Sequence, residues 1–240
     1  MATFVLVHGA FHGGWCWWKV TPLLRAAGHE VYAPTLTGLG ERVHLASPAV
    51  GLDTHVQDML NLMEYEDRAS VVLVGHSYGG LVIAGAADGA PERLAHLVYL
   101  DAQVADDGQA AIDLLPPEWR AAMEEATRAR GDGWRLPLDV ESTLDGYGIV
   151  DPAERRWMAE RLTPQPWKTV ADPLRLSTGR GHSLPRTFIL CTRRSSPSRD
   201  AERARNEPGW RFRELATGHD AMVTAPRELS DLLLEAAALA

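Results

Sequence analysis

The chain is predicted to fold as an α/β protein, a mostly parallel central sheet flanked by helices, with a helical insertion before the last strands. Three observations predict it. Short apolar runs alternate with helical patterns over roughly the first hundred residues. Those runs are apolar without a break, as strands are when helices cover both faces of a parallel sheet. The alternation stops near residue 103 and resumes near 182, which places an insertion between two strands of one sheet.

Thr3–Val7, Glu30–Ala33, Val71–Val74 and Leu94–Leu100 read as strands. Between them, Cys16–Ala27 reads as a helix ended by Gly28, Asp53–Tyr65 as one capped by Asp53 or Thr54, and Tyr78–Asp88 as a third. The stretch from 103 to 181 shows no strand pattern and one helical pattern, Glu118–Arg130, and it is rich in proline. It holds four of the eight tryptophans (Trp119, Trp134, Trp157, Trp167), which suits a cap that covers something apolar. Strand Thr187–Cys191, a helix near Ala201–Arg205, strand Trp210–Leu215 and helix Pro226–Leu239 follow. Pro226 fits a first helical turn, and Leu229, Leu232, Leu233 and Ala236 share one face. The expected organisation is one domain over 1–240, with core 1–102 and 182–240 and a cap at about 103–181.

The length of 240 residues and a hydrophobic share of 45% give material for a sizeable core. The net charge of −8 argues against a surface built to hold nucleic acid. Two cysteines, Cys16 and Cys191, form no framework of disulfides. The opening MATFVLVHGA lacks a basic leader region, and no apolar run reaches membrane-spanning length. A cytoplasmic protein without membrane partners is expected.

The chemistry concentrates in Gly75-His76-Ser77-Tyr78-Gly79, a G-x-S-x-G pattern between a strand and a helix. A turn this sharp strains the central residue and exposes its hydroxyl, while the flanking glycines clear the neighbouring strand and helix. Free N–H groups at the helix start can receive negative charge. Ser77 is therefore the candidate nucleophile. A serine needs a base, and His219 lies in the loop between the last strand and the last helix. His8 and His12 stand in the loop after the first strand, where bracing by hydrogen bonds fits better than metal ligation, since no carboxylate or cysteine cluster accompanies them at metal spacing. Asp53 reads as a helix cap, and Glu41 with Arg42 as a loop brace or a pocket edge.

FVLVHGAFHGGWCW, TLTGLGER, VGHSYGGLV and GHDAMVTAP together resemble the plant methylesterase and hydroxynitrile lyase branch of the α/β-hydrolases and its bacterial esterase relatives. The resemblance spans nearly the whole chain and is least distinctive in the cap. It implies an α/β-hydrolase fold with an inserted helical cap, a Ser-His-acid mechanism, no cofactor and no metal. It also implies an oxyanion hole from the N–H groups of Ala10 and Tyr78, and a small-molecule ester as substrate. Cyanohydrin-cleaving members place threonine after the first-loop histidine and lysine after the catalytic one. Here those positions are Gly9 and Asp220, an esterase-like pattern. The acid departs from the family, because the usual spot after the penultimate strand holds Arg193-Arg194. Asp101, at the end of LVYLDA, is the preferred substitute, since other α/β-hydrolases carry their acid at that strand end. Asp200, Asp220 and a Ser-His dyad without an acid stay open.

The resulting expectation is a serine esterase that forms an acyl-enzyme on an acyl or methyl ester of an aromatic or polyketide-like compound. A lactone or C–C bond hydrolase on the same scaffold, and a ligand-binding receptor with little turnover, remain alternatives. So does a homodimer.

Overall fold

The computed structural model describes residues 1–193 and 198–239. Its strands are β1 (Thr3–Val7), β2 (Glu30–Tyr32), β3 (Val71–His76), β4 (Leu94–Leu100), β5 (Arg135–Leu136), β6 (Gln165–Pro166), β7 (Arg186–Cys191) and β8 (Trp210–Leu215). Six of them form one parallel sheet in the order β2-β1-β3-β4-β7-β8, and β5 pairs antiparallel with β6 alone. The helices are α1 (Val20–Ala26), α2 (Leu52–Tyr65), α3 (Gly79–Gly89), α4 (Pro117–Arg130), α5 (Val140–Tyr147), α6 (Pro152–Ala159), α7 (Trp167–Ala171), α8 (Arg199–Asn206), α9 (Ala221–Thr224) and α10 (Pro226–Ala237). This is the predicted α/β architecture, a parallel sheet with helices packed on both faces.

The unbroken apolar runs have a direct structural cause. Val71 and Leu73 of β3 point into one core with Met59 and Met63 of α2 and Leu81 of α3. Val72 and Val74 point into the opposite core with Leu24 of α1 and Leu229 and Leu233 of α10. Both faces of the strand are covered, so alternation vanishes. Burying one such side chain stabilises the fold by about 1.5–3 kcal/mol. No helix among the described residues is long and apolar enough to cross a membrane. Cys16 and Cys191 are both buried.

The chain leaves the sheet after β4 and returns at β7, the strand hydrogen-bonded beside it. The segment between them carries α4 to α7 and the β5–β6 ladder. Side-chain caps start two of its helices: Asp139 accepts from Ser142 N–H on α5, and Asp151 accepts from Ala153 and Glu154 N–H on α6. Each contributes about 1 kcal/mol.

Four local expectations are corrected. The β5–β6 ladder occupies a stretch read as strandless, because two residues per strand are too few to show a period. The helix read over Cys16–Ala27 is a 3₁₀ turn, Gly14–Trp17, followed by α1. Neither Asp53 nor Thr54 caps α2. Its cap is Gly51, whose N–H donates to the Thr54 hydroxyl at 3.3 Å, and Asp53 sits in the first turn. Trp119 is 58% exposed, so not every tryptophan of the insertion covers an apolar surface.

Close backbone packing yields a stability test. At Gly80, inside α3, an added Cβ would lie 2.1 Å from the Gln103 carbonyl oxygen. Gly80→Ala is expected to lose about 1–3 kcal/mol, lowering Tm by several degrees, although alanine favours a helix. Gly146, on the exposed side of α5, has nothing within 4 Å of the same position. Gly146→Ala should gain about 0.5–1 kcal/mol. Thermal unfolding of the two variants checks the opposite signs.

Candidate active site

Ser77 follows β3 at the start of α3 with a φ of 54°, a left-handed conformation unusual for a side-chain-bearing residue. Its neighbours permit the turn. A Cβ at Gly75 would lie 2.5 Å from the Gly79 carbonyl oxygen, and one at Gly79 would lie 2.9 Å from the His8 carbonyl oxygen. The turn is tied to the next strand, since Ser77 N–H donates to the Leu100 carbonyl at 3.2 Å and Gln103 N–H to the Ser77 carbonyl at 3.1 Å.

Asp101 follows β4 and is also left-handed, with a φ of 43°. Its N–H donates to the Ile189 carbonyl of β7 at 2.8 Å, which turns the side chain towards the loop after β8. There His219 Nδ1 lies 2.5 Å from Asp101 Oδ2. A carboxylate accepts, so Nδ1 carries the proton and Nε2 keeps a free lone pair. Cys191 N–H donates to the other carboxylate oxygen at 3.4 Å. The His219 ring packs on His76, the residue before Ser77, with ring centres 4.5 Å apart. His76 Nε2 also donates to the His219 carbonyl at 3.1 Å. The Ser77 hydroxyl makes no hydrogen bond to a described residue. Contacts between nucleophile and base are commonly loose before substrate binds. An imidazole held by a carboxylate near this half-buried serine can accept a proton from it.

The loop after β1 completes the site. A Cβ at Gly9 would lie 3.0 Å from the Ser77 Cβ and 2.9 Å from His76 Nδ1, so this backbone lies directly against the serine. The N–H groups of Ala10, next along, and of Tyr78, at the start of α3, are bonded to no described acceptor. Both can receive negative charge. The Tyr78 side chain is pinned by its hydroxyl, which donates to His55 Nδ1 at 2.9 Å, and His55 Nε2 donates in turn to the Thr37 carbonyl at 2.8 Å. Phe11, left-handed at φ 67°, ties the loop to the insertion: its N–H donates to Gln165 Oε1 at 3.0 Å, and its carbonyl accepts from Thr163 N–H at 2.9 Å.

The buried histidines divide into neutral and charged. His8 donates from Nδ1 to the Gly9 carbonyl and accepts at Nε2 from Leu36 N–H, a neutral ring whose pKa burial holds down to about 3. Burial holds His55 down to about 4. Burial, aided by His219, holds His76 down to about 3. His12 differs. Its Nδ1 faces the Ala10 carbonyl at 2.7 Å and its Nε2 faces Asp220 Oδ2 at 2.9 Å. Both partners accept, so both ring nitrogens donate and the ring is an imidazolium. Burial opposes that charge, but Asp220 outweighs it and raises the His12 pKa. Burial likewise opposes the Asp220 carboxylate, and His12 holds its pKa below the ordinary value.

Other residues singled out by sequence lie elsewhere. Asp200 sits in the first turn of α8, while Nδ1 of His219 is occupied by Asp101. Arg193, where the family acid was expected, is exposed and donates its backbone N–H to the Thr217 carbonyl. Arg194 lies outside the described residues. Arg42 braces its loop through the Thr35 carbonyl at 2.7 Å and Asp58 at 3.5 Å; Glu41 is exposed and has no part in the brace. Tyr147, which no motif marked, stacks near both His219 (5.5 Å) and His12 (5.2 Å). His76, His219 and Asp220 bring ligand-type atoms within 4.8 Å of one another, but Asp101 and His12 already engage His219 and Asp220.

The model of the alpha/beta hydrolase family matches residues 4–232. The chain is 40% identical over 243 residues to the carbendazim hydrolyzing esterase of Nocardioides sp. (strain SG-4G), covering 97% of this chain and 98% of that one. It is 30% identical to methylesterase 2 of Arabidopsis thaliana, covering 96% and 94%. Among solved structures, an Arabidopsis methylesterase superposes with a TM-score of 0.81 at 25% identity over both whole chains. An extracellular α/β-hydrolase from a Paenibacillus species superposes with 0.86 at 24% identity, covering 98% and 99%.

The neutral buried histidines predict acid sensitivity. Unfolded, His8, His55 and His76 take up protons near pH 6.5, whereas folded they resist until about pH 3 to 4. The unfolded state binds more protons in that window, so stability falls as pH drops from 6.5, by about 1.4 kcal/mol per pH unit for each histidine. His12, with its raised pKa, acts oppositely, contributing fully below 6.5 and less as pH rises. Tm measured from pH 8 to 4 should peak near pH 6.5 and fall steeply below it. A flat acid side would contradict the neutral assignments.

Proposed function

The chain belongs to the alpha/beta hydrolase family and is a carboxylic ester hydrolase, and we propose that it works by a Ser77-His219-Asp101 acyl-enzyme mechanism on a small-molecule ester. The observation that carries this reading is the 2.5 Å bond between Asp101 and His219, set beside a strained serine at the end of the neighbouring strand. Ser77 Oγ attacks the ester carbonyl while His219 Nε2 takes its proton. Asp101 keeps the imidazole in the required tautomer and stabilises the imidazolium. The Ala10 and Tyr78 N–H groups receive the tetrahedral oxyanion, each worth about 3–4 kcal/mol in the transition state. His219 returns the proton to the leaving alcohol, then activates water to release the acid.

Residues of about 103–181 act as the cap in this reading. Support comes from Tyr147 over His219 and from Trp157, whose ring centre lies 5.2 Å from that of Trp15. Aromatic groups from both sides favour an acyl or methyl ester of an aromatic or polyketide-like molecule. The relative named for carbendazim hydrolysis makes carbendazim a reasonable member of the test panel.

Treatment with a fluorophosphonate should label Ser77 in the unaltered chain and leave Ser77→Ala unlabelled. Absence of labelling would overturn the mechanism, and fast labelling with no hydrolysis of aromatic methyl esters, aryl acetates or carbendazim would indicate a receptor.

Steady-state kinetics test the acid. Ser77→Ala and His219→Ala should lose about 10⁴-fold or more in kcat, and Asp101→Asn about 10²- to 10⁴-fold. Asp200→Asn should stay within about twofold. A folded, fully active Asp101→Asn would remove Asp101 from the mechanism.

A further inference from the structure

His12 and Asp220 are both wholly buried, and neither has a place in the mechanism above. They join the loop that carries Ala10 to the loop that carries His219. Asp220 also brings a carboxylate oxygen within 4.8 Å of a His219 ring nitrogen. Its backbone is fixed by the first turn of α9, where Val223 and Thr224 N–H donate to its carbonyl at 2.9 and 3.1 Å. The His12 ring is clamped between Trp15 and Tyr147, with ring centres 5.3 and 5.2 Å away.

We propose that His12 and Asp220 are a second, buried His-carboxylate pair that positions the reaction: Asp220 stabilises the His219 imidazolium as it forms, and His12 fixes the Ala10 loop against the His219 loop. The orientation suits the chemistry. During acyl transfer, positive charge develops on His219 and negative charge on the ester oxygen held by Ala10 and Tyr78. The pair sets its negative end beside the first, and its positive end holds the carbonyl of the residue that serves the second. Both charges were fixed at folding, so nothing reorganises when the substrate reacts. Asp220 is thus a positioning residue that acts through His219, while Asp101 holds the ring itself. The inference rests on the serine-esterase reading.

Several groups share this environment. Asp101, His76, Tyr147 and Asp220 face the His219 ring, and Cys191 Sγ lies 3.8 Å from its carbonyl. His12, His76, His219, Cys16 and Tyr147 surround Asp220. With Asp101 unchanged, replacing Asp220 removes one of two negative charges near the base. The base then protonates only at lower pH.

The experiment is the pH profile of kcat/KM for p-nitrophenyl acetate, with the full chain and Asp220→Asn. The acidic limb should move to lower pH by about half a unit or more, the effect of one charge near 5 Å even in a watery dielectric. kcat should fall about tenfold with KM within about twofold, and Asp220→Glu should restore most of the limb position. A lower rate with an unmoved limb would overturn the proposal, because a purely structural loss leaves the limb in place. Where Asp220→Asn fails to fold because His12 is left charged and alone, the doubly neutral His12→Gln/Asp220→Asn variant takes its place. It removes the positive charge as well, so a smaller displacement in the same direction is expected, and an unmoved limb overturns the proposal as before. Failure of the unaltered chain to label with fluorophosphonate would overturn the esterase reading and this inference together. Normal activity of that chain with an unmoved limb in the variants overturns the inference alone.

Discussion

The hydrogen bonds that join the end of β3 to the end of β4 hold two strained residues side by side, and the rest of the site is arranged around them. His76 pairs with Leu100 in register, so Ser77 and Asp101 leave the sheet at the same level. Both then turn left-handed, which costs on the order of 1–3 kcal/mol each for residues with side chains. Ser77 N–H to Leu100, Gln103 N–H to Ser77 and Asp101 N–H to Ile189 offset that cost by occupying backbone groups that would otherwise be orphaned. The serine and the carboxylate therefore leave the sheet on adjacent strands. The loop after β8 brings His219 to Asp101 and onto the His76 ring.

That loop is positioned from several sides. A Cβ at Gly218 would lie 2.6 Å from the Tyr147 carbonyl oxygen, so the backbone before His219 rests directly on the insertion. The carbonyl of His219 accepts from His76, and the next residue is held by His12. The polar groups beneath the site are therefore interlocked rather than independent. His8, His55 and His76 stay neutral because burial penalises their charged forms, while at His12 the hydrogen-bonded Asp220 carboxylate outweighs burial. One charged histidine among neutral ones is a specific electrostatic arrangement, and a generally polar interior would not produce it.

Much of this was legible in the sequence, for identifiable reasons. Unbroken apolar runs marked the strands because both sheet faces are covered, and the glycines around Ser77 marked the elbow because side chains there would strike β1 and α3. The position of His219 followed from its loop between β8 and α9. The carboxylate was harder to read. Asp101, Asp200 and Asp220 differ in which strand end or helix carries them, and only the strand order β3-β4-β7-β8 puts Asp101 beneath the His219 ring. Asp220, adjacent in sequence to His219, bonds to His12, a contact 208 residues distant that no local pattern announces. Tyr147 was invisible for the same reason, since its role depends on how the insertion folds back. The missed cap of α2 has a smaller cause. Glycine has no side chain to signal capping, and at Gly51 an added Cβ would lie 2.2 Å from an Asp172 carboxylate oxygen.

The same packing bears on why the chemistry is ester hydrolysis. Two positions distinguish the cyanohydrin-cleaving branch: a threonine after the first-loop histidine and a lysine after the histidine base. At the first, any Cβ would press on the Ser77 Cβ and the His76 ring at about 3 Å, so a threonine there would require both to shift. At the second, an ammonium would meet the His12 imidazolium in a wholly buried site. Like charges there would both lose hydration and repel, and Asp220, the carboxylate bonded to His12, would be gone. The two positions are thus physically coupled to His12 and His76, and converting one of them alone would disrupt the site before it supplied new chemistry. What the serine gains in exchange is a peptide backbone, at Gly9, packed directly against it.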